Sequence, residues 1–137
     1  MKNKVSIITG VAGTIGSNLA EYLTKKGHYV YGIDNFSLGS NKNLSNLLKK
    51  KNFNILNCDV SNLGDLQKIK YKKKVDYIWL LAANSDIKNG LTSFDNDLKN
   101  TLLTTTESLS YFIKYLKPKG KICFSSSSAI YGPTKEK

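Results

Sequence analysis

Ile7-Ile8-Thr9-Gly10-Val11-Ala12-Gly13-Thr14-Ile15-Gly16 decides the fold of this chain. A β-branched apolar run, Val5 to Thr9, ends in glycines at a three-residue spacing. An amphipathic stretch follows at once, with Ile15, Leu19, Tyr22 and Leu23 at i, i+4, i+7 and i+8. The pattern predicts a strand, a tight glycine turn and a helix. Gly10, with no Cβ, can turn sharply. A bare Gly13 lets an anion such as a diphosphate approach the main chain, and a bare Gly16 lets the new helix pack close to the strand. The free N–H groups and the positive end of the helix dipole then face that anion.

The spacing is GxxGxxG rather than the GxGxxG of the general dinucleotide fingerprint. A glycine turn alone suits any strand-to-helix connection, so the downstream partner decides. Val30-Tyr31-Gly32-Ile33 predicts a second strand with Asp34 at its end. That is roughly 20 residues beyond the glycines, where a carboxylate can hold a ribose 2′-hydroxyl. In this strand–turn–helix–strand context the two features together predict dinucleotide binding.

The 137 residues predict one domain with a proper core. No apolar run approaches membrane-spanning length and the N-terminus has no signal-peptide pattern, so the expected location is cytoplasmic. Cys58 and Cys123 lie far apart without metal-type spacing, and each follows an apolar run. Both are expected to be buried free thiols in a reducing compartment. His28, the only histidine, follows Gly27 and is expected to be structural; neither a histidine-based triad nor a metal site is predicted. The formal charge of +11 invites a nucleic-acid reading, but every basic residue is Lys. Specific nucleic-acid readers lean on Arg for bidentate contacts. The runs Lys49-Lys50-Lys51 and Lys72-Lys73-Lys74 are therefore assigned to solvated surface.

Further along, Asn41 to Lys51 predicts a short helix capped by Ser40 or Asn41, with Leu44, Leu47 and Leu48 on one face. Phe53 to Leu56 is a third strand, running into Asn57-Cys58-Asp59-Val60. Ser61 can cap a helix carrying Leu63, Leu66 and Ile69. Val75 to Leu81 is nearly continuously apolar, the mark of a strand buried on both faces. A long helix is predicted from Ser93 or Asp95 to Lys117, with an apolar stripe of Leu98, Leu102, Leu109, Phe112, Ile113 and Leu116. Lys114 and Lys117 suit its negative end, and Pro118 and Gly120 stop it. Lys121 to Phe124 is a fifth strand, ending in Ser125-Ser126-Ser127-Ser128. Alternating strands and helices predict an α/β fold, a doubly wound parallel sheet of at least five strands with helices on both faces. Ligands of such sheets bind beyond the carboxyl ends of the strands, where the glycines, Asp34, Asp59, Ala82 to Ser85 and the serines all fall.

Four motifs, Thr9 to Gly16, Ile33-Asp34-Asn35 with the loop to Ser40, Cys58-Asp59-Val60 and Leu81-Ala82-Ala83-Asn84-Ser85, resemble those of the extended short-chain dehydrogenase/reductases. The resemblance is to the NAD-dependent nucleotide-sugar epimerases and dehydratases, UDP-glucose 4-epimerase-like, and covers residues 4–134. Ser125-Ser126-Ser127-Ser128-Ala129-Ile130-Tyr131-Gly132 is similar to the family's SSSxxxYG segment. The resemblance implies a Rossmann-type NAD-binding domain over 1–137, the N-terminal portion of such an enzyme without its substrate domain. It implies that Gly10, Gly13, Thr14, Ile15 and Gly16 cradle the pyrophosphate. Asp34, Asn35, Ser37 and Ser40 would line the adenosine ribose, Asp34 favouring NAD over NADP. Asp59 and the Val60 backbone would meet the adenine. Leu81, Ala82, Ala83 and Ser85 would line the nicotinamide side, with Ser125 and Ser126 near the cofactor. Ser127 matches the catalytic Ser/Thr that hydrogen-bonds the sugar hydroxyl.

The sequence departs from the family at two places. Asn96 stands where a cofactor-contacting Asn is expected, but Asp97 replaces a common Asn and Asn100 a common Gly. The family's Tyr-x-x-x-Lys pair is absent: Tyr131 and Lys135 have the spacing, but they belong to the YG turn, and Pro133 breaks any helix aligning them. This chain alone is therefore expected to be inactive. The family's dehydratases place acids directly after the Ser/Thr, whereas this chain has Ser128-Ala129, which favours a 4-epimerase. In the intact protein the implied partners are a nucleotide-sugar, UDP-linked by resemblance, and a second copy in a homodimer, with no nucleic acid or membrane. The alternatives are a non-catalytic dinucleotide-binding regulatory module, or a dehydratase or reductase of the same family.

Overall fold

In the computed structural model, which describes residues 4–69, 73–84 and 94–132, five parallel strands form one sheet in the order β3-β2-β1-β4-β5. They are β1 (Val5–Thr9), β2 (Tyr29–Asp34), β3 (Phe53–Asn57), β4 (Val75–Leu80) and β5 (Leu116–Phe124). The chain starts at the centre, winds outward through β2 and β3, and crosses back to β4 on the other flank of β1. Between strands lie α1 (Thr14–Lys25), α2 (Leu63–Lys68) and a helical run over 94–115, here α3. The reversal of winding puts α1 on one face of the sheet and α2 and α3 on the other, as right-handed crossovers require. One core joins Ile7, Ile33, Ile78 and Leu80 to Leu66 of α2 and Phe112 of α3. The other joins Ile8, Val30 and Phe53 to Ala20 and Leu23 of α1 and to Leu44 and Leu47. The doubly wound parallel sheet read from the sequence is thus the fold observed, with its carboxyl-end crevice beside β1.

Several elements differ from the sequence reading. In α1 the buried face is Gly16, Ser17, Ala20, Leu23 and Thr24, while Ile15 and Tyr22 are exposed. The helix lies so close to the glycine turn that small residues, not large apolar ones, face the sheet. The predicted helix over 41–51 is a single 3-10 turn, Asn41–Leu44, followed by turns; Ser40 Oγ caps it by accepting from Lys42 N–H. The cap of α2 is Asn62, whose side chain accepts from Gly64 and Asp65 N–H, because Ser61 is committed to Asp59. Tyr77 and Trp79 of β4 are only half-buried, Tyr77 stacked against His28 and Trp79 packed at the margin of the second core. Cys123 is exposed on β5, whereas Cys58 is buried as expected.

The largest difference is α3. It is an α turn (Phe94–Asp97), a π-helical stretch (Leu98–Leu103), a regular helix (Thr104–Phe112) and a 3-10 turn (Ile113–Tyr115). The π stretch shifts the phase of the helix, so Thr104, Ser108, Tyr111 and Phe112 are buried and Leu98, Leu102 and Ile113 are exposed. Thr104 Oγ1 donates to the Lys99 carbonyl five residues back, 3.0 Å. Leu116 and Lys117 belong to β5 rather than to the helix. The ladder jumps from Val75↔Leu116 to Tyr77↔Lys121, and the bulge takes up Pro118, which has no N–H to offer.

Lys117 is accordingly not a helix-end cation but the anchor of this bulge, its Nζ 2.9 and 2.8 Å from the two carboxylate oxygens of Asp76. Asp76 also accepts from Val5 N–H at 2.8 Å. Burial opposes ionisation of Asp76, but Lys117 and the Val5 N–H outweigh it and hold its carboxyl below the ordinary 3.8. A depressed carboxyl pKa contributes stability above the unfolded value, and that stability disappears as pH falls through the folded value. Lys117→Ala should therefore cost about 0.5–1 kcal/mol near neutrality, the range for partly exposed pairs. The difference from the unsubstituted protein should begin to shrink as pH falls below the unfolded carboxyl value and vanish below the folded one, which urea unfolding at a series of pH values would read directly.

Candidate cofactor site

A cleft of about 520 Å³ opens at the carboxyl ends of β1, β2, β3 and β4, walled on one side by α3. Its floor is the glycine turn. Gly10 has φ +70° and its N–H donates to the Ile33 carbonyl at 2.8 Å, tying the turn to β2. A Cβ at Gly10 would lie 2.8 Å from the Ala82 Cα, so the turn also abuts the end of β4. Helix α1 starts at Gly13 with no side-chain cap. The N-terminal N–H groups of a helix have no intrahelical acceptor. Gly13, Thr14, Ile15 and Gly16 present that end to the cleft.

Asp34 is 8% exposed and holds the glycine turn from the side. Its Oδ2 accepts from Ala12 N–H and its Oδ1 from Phe36 N–H, each at 2.8 Å. A carboxylate oxygen has two lone-pair sites, so each retains one. Asn35 Oδ1 accepts from the Ser37 N–H and hydroxyl at 3.0 and 2.8 Å, folding the next loop over the same edge. Asn35 and Ser37 line the cleft, with Leu38, Gly39 and Asn43. Ser40 does not: its N–H donates to the Ala12 carbonyl at 3.1 Å and its hydroxyl is the 3-10 cap.

At the end of β3, Asp59 Oδ1 accepts from the Ser61 N–H (3.0 Å) and hydroxyl (2.7 Å), and Oδ2 faces Lys99 Nζ at 3.5 Å. Burial opposes its ionisation, but Ser61 and Lys99 outweigh that and lower its pKa. Asp59, Val60 and Cys58 line the cleft. On the far side, the Leu81 and Ala82 N–H groups both donate to Thr9 Oγ1 at 3.2 Å, which turns Leu81, Ala82, Ala83 and Asn84 into the wall. From α3 come Asn96, Asn100 and Thr104, with Asn100 Nδ2 donating to Asn96 Oδ1 at 2.6 Å.

The structure therefore brings together Gly10, Gly13, Thr14, Ile15, Gly16, Asp34, Asn35, Ser37, Asp59, Val60, Leu81, Ala82 and Ala83. Ser125, Ser126 and Ser127 are exposed beyond β5, outside the lining. Ser125 N–H and hydroxyl donate to the Leu80 carbonyl at 3.2 and 3.3 Å. Ser85 lies outside the described residues. The sequence reading did not assign Asn43, Cys58, Asn100 or Thr104 to the site, and reached Gly39 only as part of the loop from Asn35 to Ser40. Gly39 was signalled by its loop position: a Cβ there would lie 2.7 Å from Ala12 Cβ and 2.9 Å from Asp34 Oδ1. Thr104 had no signal, because a π turn has no sequence period of its own.

The cleft fits a dinucleotide. Its floor is uncapped helix N–H groups, a Cβ at Gly13 would meet nothing closer than 3.4 Å and would stand in open cleft, and a carboxylate waits at the end of β2. Among the described residues no group of His, Cys, Asp and Glu could hold a metal ion, and no helix is long and apolar enough to cross a membrane. Burial pushes the Cys58 thiol up to about 11, so it stays protonated at neutral pH, while Cys123 is exposed. A thiol-specific reagent at neutral pH should titrate one thiol in the folded protein, at Cys123, and both in denaturant; rapid reaction of both in the native protein would contradict the buried Cys58.

A family model described as GDP-mannose 4,6 dehydratase matches residues 7–137. Protein CapI of Staphylococcus aureus is 30% identical over 139 residues, covering 96% of this chain and 40% of that protein. A UDP-N-acetylglucosamine 4-epimerase from Methanobrevibacter ruminantium, solved with UDP-N-acetylmuramic acid, is 32% identical with a TM-score of 0.81, covering 99% of this chain and 43% of that one. WbmF of Bordetella bronchiseptica, solved with NAD+, shares the fold at 22% identity and a TM-score of 0.79, covering 93% of this chain and 37% of that one. The chain thus spans about 40% or less of the length of the curated relatives it matches first. It belongs to the GDP-mannose 4,6-dehydratase family of NAD-dependent nucleotide-sugar epimerases, dehydratases and decarboxylases.

Proposed function

We propose that residues 1–137 form the NAD-binding part of a nucleotide-sugar 4-epimerase acting on a UDP-sugar. The observation that carries this reading is Asp34: a buried carboxylate, held by two backbone N–H groups beside an uncapped helix start. Its remaining lone pairs accept ribose hydroxyls, and its charge repels a 2′-phosphate, which supports NAD over NADP. The helix start, with Gly13 bare, receives the diphosphate. Asp59 takes the adenine amino group. Ala82 and Ala83 line the nicotinamide side. Bound NAD supplies a reversible hydride acceptor for the sugar carbon. Ser127 would position the sugar hydroxyl as its proton leaves.

Tyr131 and Lys135 are not read as the family's Tyr-x-x-x-Lys pair. Tyr131 is 84% exposed in a 3-10 turn, and Gly132 follows at φ +67°. The 137 residues alone should therefore bind NAD without turning a sugar over. Ser128-Ala129, with no acid after the serine, supports the epimerase reading. The family model's own description favours a dehydratase instead. The exposed Leu98, Leu102 and Ile113 of α3 support a homodimer as the assembled form.

Calorimetric titration tests the reading. NAD should bind, NADP at least about tenfold more weakly, and added UDP-glucose should produce no NADH absorbance. No NAD binding at millimolar concentration overturns it. A chimera with this chain in place of the matching part of a UDP-glucose 4-epimerase should interconvert UDP-glucose and UDP-galactose; a 4-keto-6-deoxy product would establish the dehydratase.

A further inference from the structure

We propose that Phe36 is a positioning residue for the ribose edge of the cleft: its ring, packed on the second core, anchors the loop from Asn35 to Ser40 beside Asp34. The inference rests on the NAD reading above and adds a residue to it. Among the described residues Phe36 is the one non-glycine with a positive φ, +59°. A bulky residue seldom adopts this left-handed region, because its Cβ crowds the following carbonyl oxygen; glycine or asparagine is the ready choice there. Such outliers persist where the surroundings over-determine them, and they gather at ligand sites.

Three contacts over-determine Phe36. Asn35 Oδ1 accepts from the Ser37 N–H and hydroxyl, so the Asn35 side chain closes a turn around it. The Phe36 N–H donates to Asp34 Oδ1 at 2.8 Å. The ring packs against the second core, to which Val11, Ala12 and Leu44 belong. Its neighbours Asn35, Ser37 and Leu38 are exposed and give no such hold. The left-handed turn thus seats the ring on the core while Asn35 and Ser37, on either side of it, line the cleft. The far end of the loop is tied to the glycine turn: the Ser40 N–H donates to the Ala12 carbonyl at 3.1 Å, and Asn43 Nδ2 donates to the same oxygen at 2.8 Å. Between those ends Phe36 is the apolar anchor. A loop ordered before the ligand arrives spares the ordering cost that a mobile loop adds to binding.

Phe36→Gly and Phe36→Asn keep a backbone at home in the left-handed region and remove the ring, whereas Phe36→Leu keeps an apolar anchor. The first two should bind NAD about tenfold more weakly, the scale of re-ordering the freed Asn35 and Ser37 side chains. Phe36→Leu should bind nearly as the unsubstituted protein does. Phe53→Leu trims the same core at the amino end of β3, and should lower the melting temperature without changing NAD affinity. Amide exchange without NAD gives a second reading: the Ser40 N–H should exchange faster in Phe36→Gly and Phe36→Asn, and not in Phe36→Leu. Unchanged NAD affinity in the Gly and Asn variants, an equal loss in Phe36→Leu, or an equal loss in Phe53→Leu each overturns the anchor. Failure of both Gly and Asn variants to fold also overturns it, and would make Phe36 a residue of the fold alone. If Ser40 exchange responds as expected but even the unsubstituted chain binds no NAD, the anchored loop stands and the NAD reading fails, so the two failures are distinguishable.

Discussion

Gly16→Ala should cost about 3 kcal/mol or more, whereas Gly13→Ala should leave the fold intact and abolish NAD binding. The two glycines are three residues apart in one motif, yet their surroundings are opposite. A Cβ at Gly16 would run into the Gly10 carbonyl oxygen and lie 2.7 Å from Val11 Cα and 2.9 Å from the Gly10 carbonyl carbon. All of these are backbone, so no side chain can swing away; α1 must lift off the sheet and carry the buried Ala20 and Leu23 with it. Against a total stability of about 5–15 kcal/mol, that loss is severe. At Gly13 the backbone is extended, φ −74° and ψ 170°, a conformation alanine adopts freely. The nearest atom to an added Cβ is the Gly10 carbonyl oxygen at 3.4 Å, an ordinary contact. Replacing a glycine helix cap by alanine costs about 0.5–1 kcal/mol. The methyl group, however, would stand over the helix N–H groups proposed to receive the diphosphate, so NAD binding should be lost. Thermal melts paired with NAD titrations separate the outcomes. A Gly13→Ala protein that binds NAD normally would show that the diphosphate does not rest on this helix start.

Much of this architecture was legible because it rests on local sequence. Val5 to Thr9 followed by Gly10, Gly13 and Gly16 marks one strand–turn–helix unit, and Asp34 ends the next strand, so the central crevice could be placed from the sequence. The buried face of α1 could not. Hydrophobic period favours Ile15 and Tyr22, but the close approach demanded by Gly16 selects Ala20 and Thr24, a tertiary constraint. The end of α3 was obscured likewise. Leu116-Lys117 continue its apolar and cationic pattern, yet pairing with Val75 and the ion pair with Asp76 draw them into β5. The π stretch is a phase change with no composition signal, so the stripe of Leu98, Leu102 and Ile113 was assigned inward and is found outward. The serines after β5 were legible as a motif, but Ser125 is drawn to the Leu80 carbonyl at the end of β4, outside the cleft lining.

Asp34→Asn should be nearly as damaging to NAD binding as Asp34→Ala, even though it keeps the shape of the side chain. Both carboxylate oxygens accept from backbone N–H groups, Oδ2 from Ala12 and Oδ1 from Phe36. An amide has one acceptor oxygen and one NH2 group, so whichever way it is turned it sets a donor against one of those N–H groups. At a position only 8% exposed, an unsatisfied or opposed polar pair costs about 1–3 kcal/mol. If the NH2 faces Ala12, the glycine turn loses one of its ties to β2, keeping those from Gly10 and Val11 N–H to the Ile33 carbonyl; if it faces Phe36, the loop carrying Asn35 and Ser37 loosens instead. Either way the charge proposed to accept the ribose hydroxyls is gone, and hydrogen bonds to a charged group are worth about 1.5–3 kcal/mol. NAD affinity should drop by at least about tenfold through that loss alone. NADP should lose less, because the repulsion of its 2′-phosphate disappears with the charge, so the ratio of the two affinities should collapse toward unity. That ratio is the decisive reading. A general loosening of the turn weakens both dinucleotides equally and preserves the preference, whereas removal of a ribose-binding carboxylate erases it.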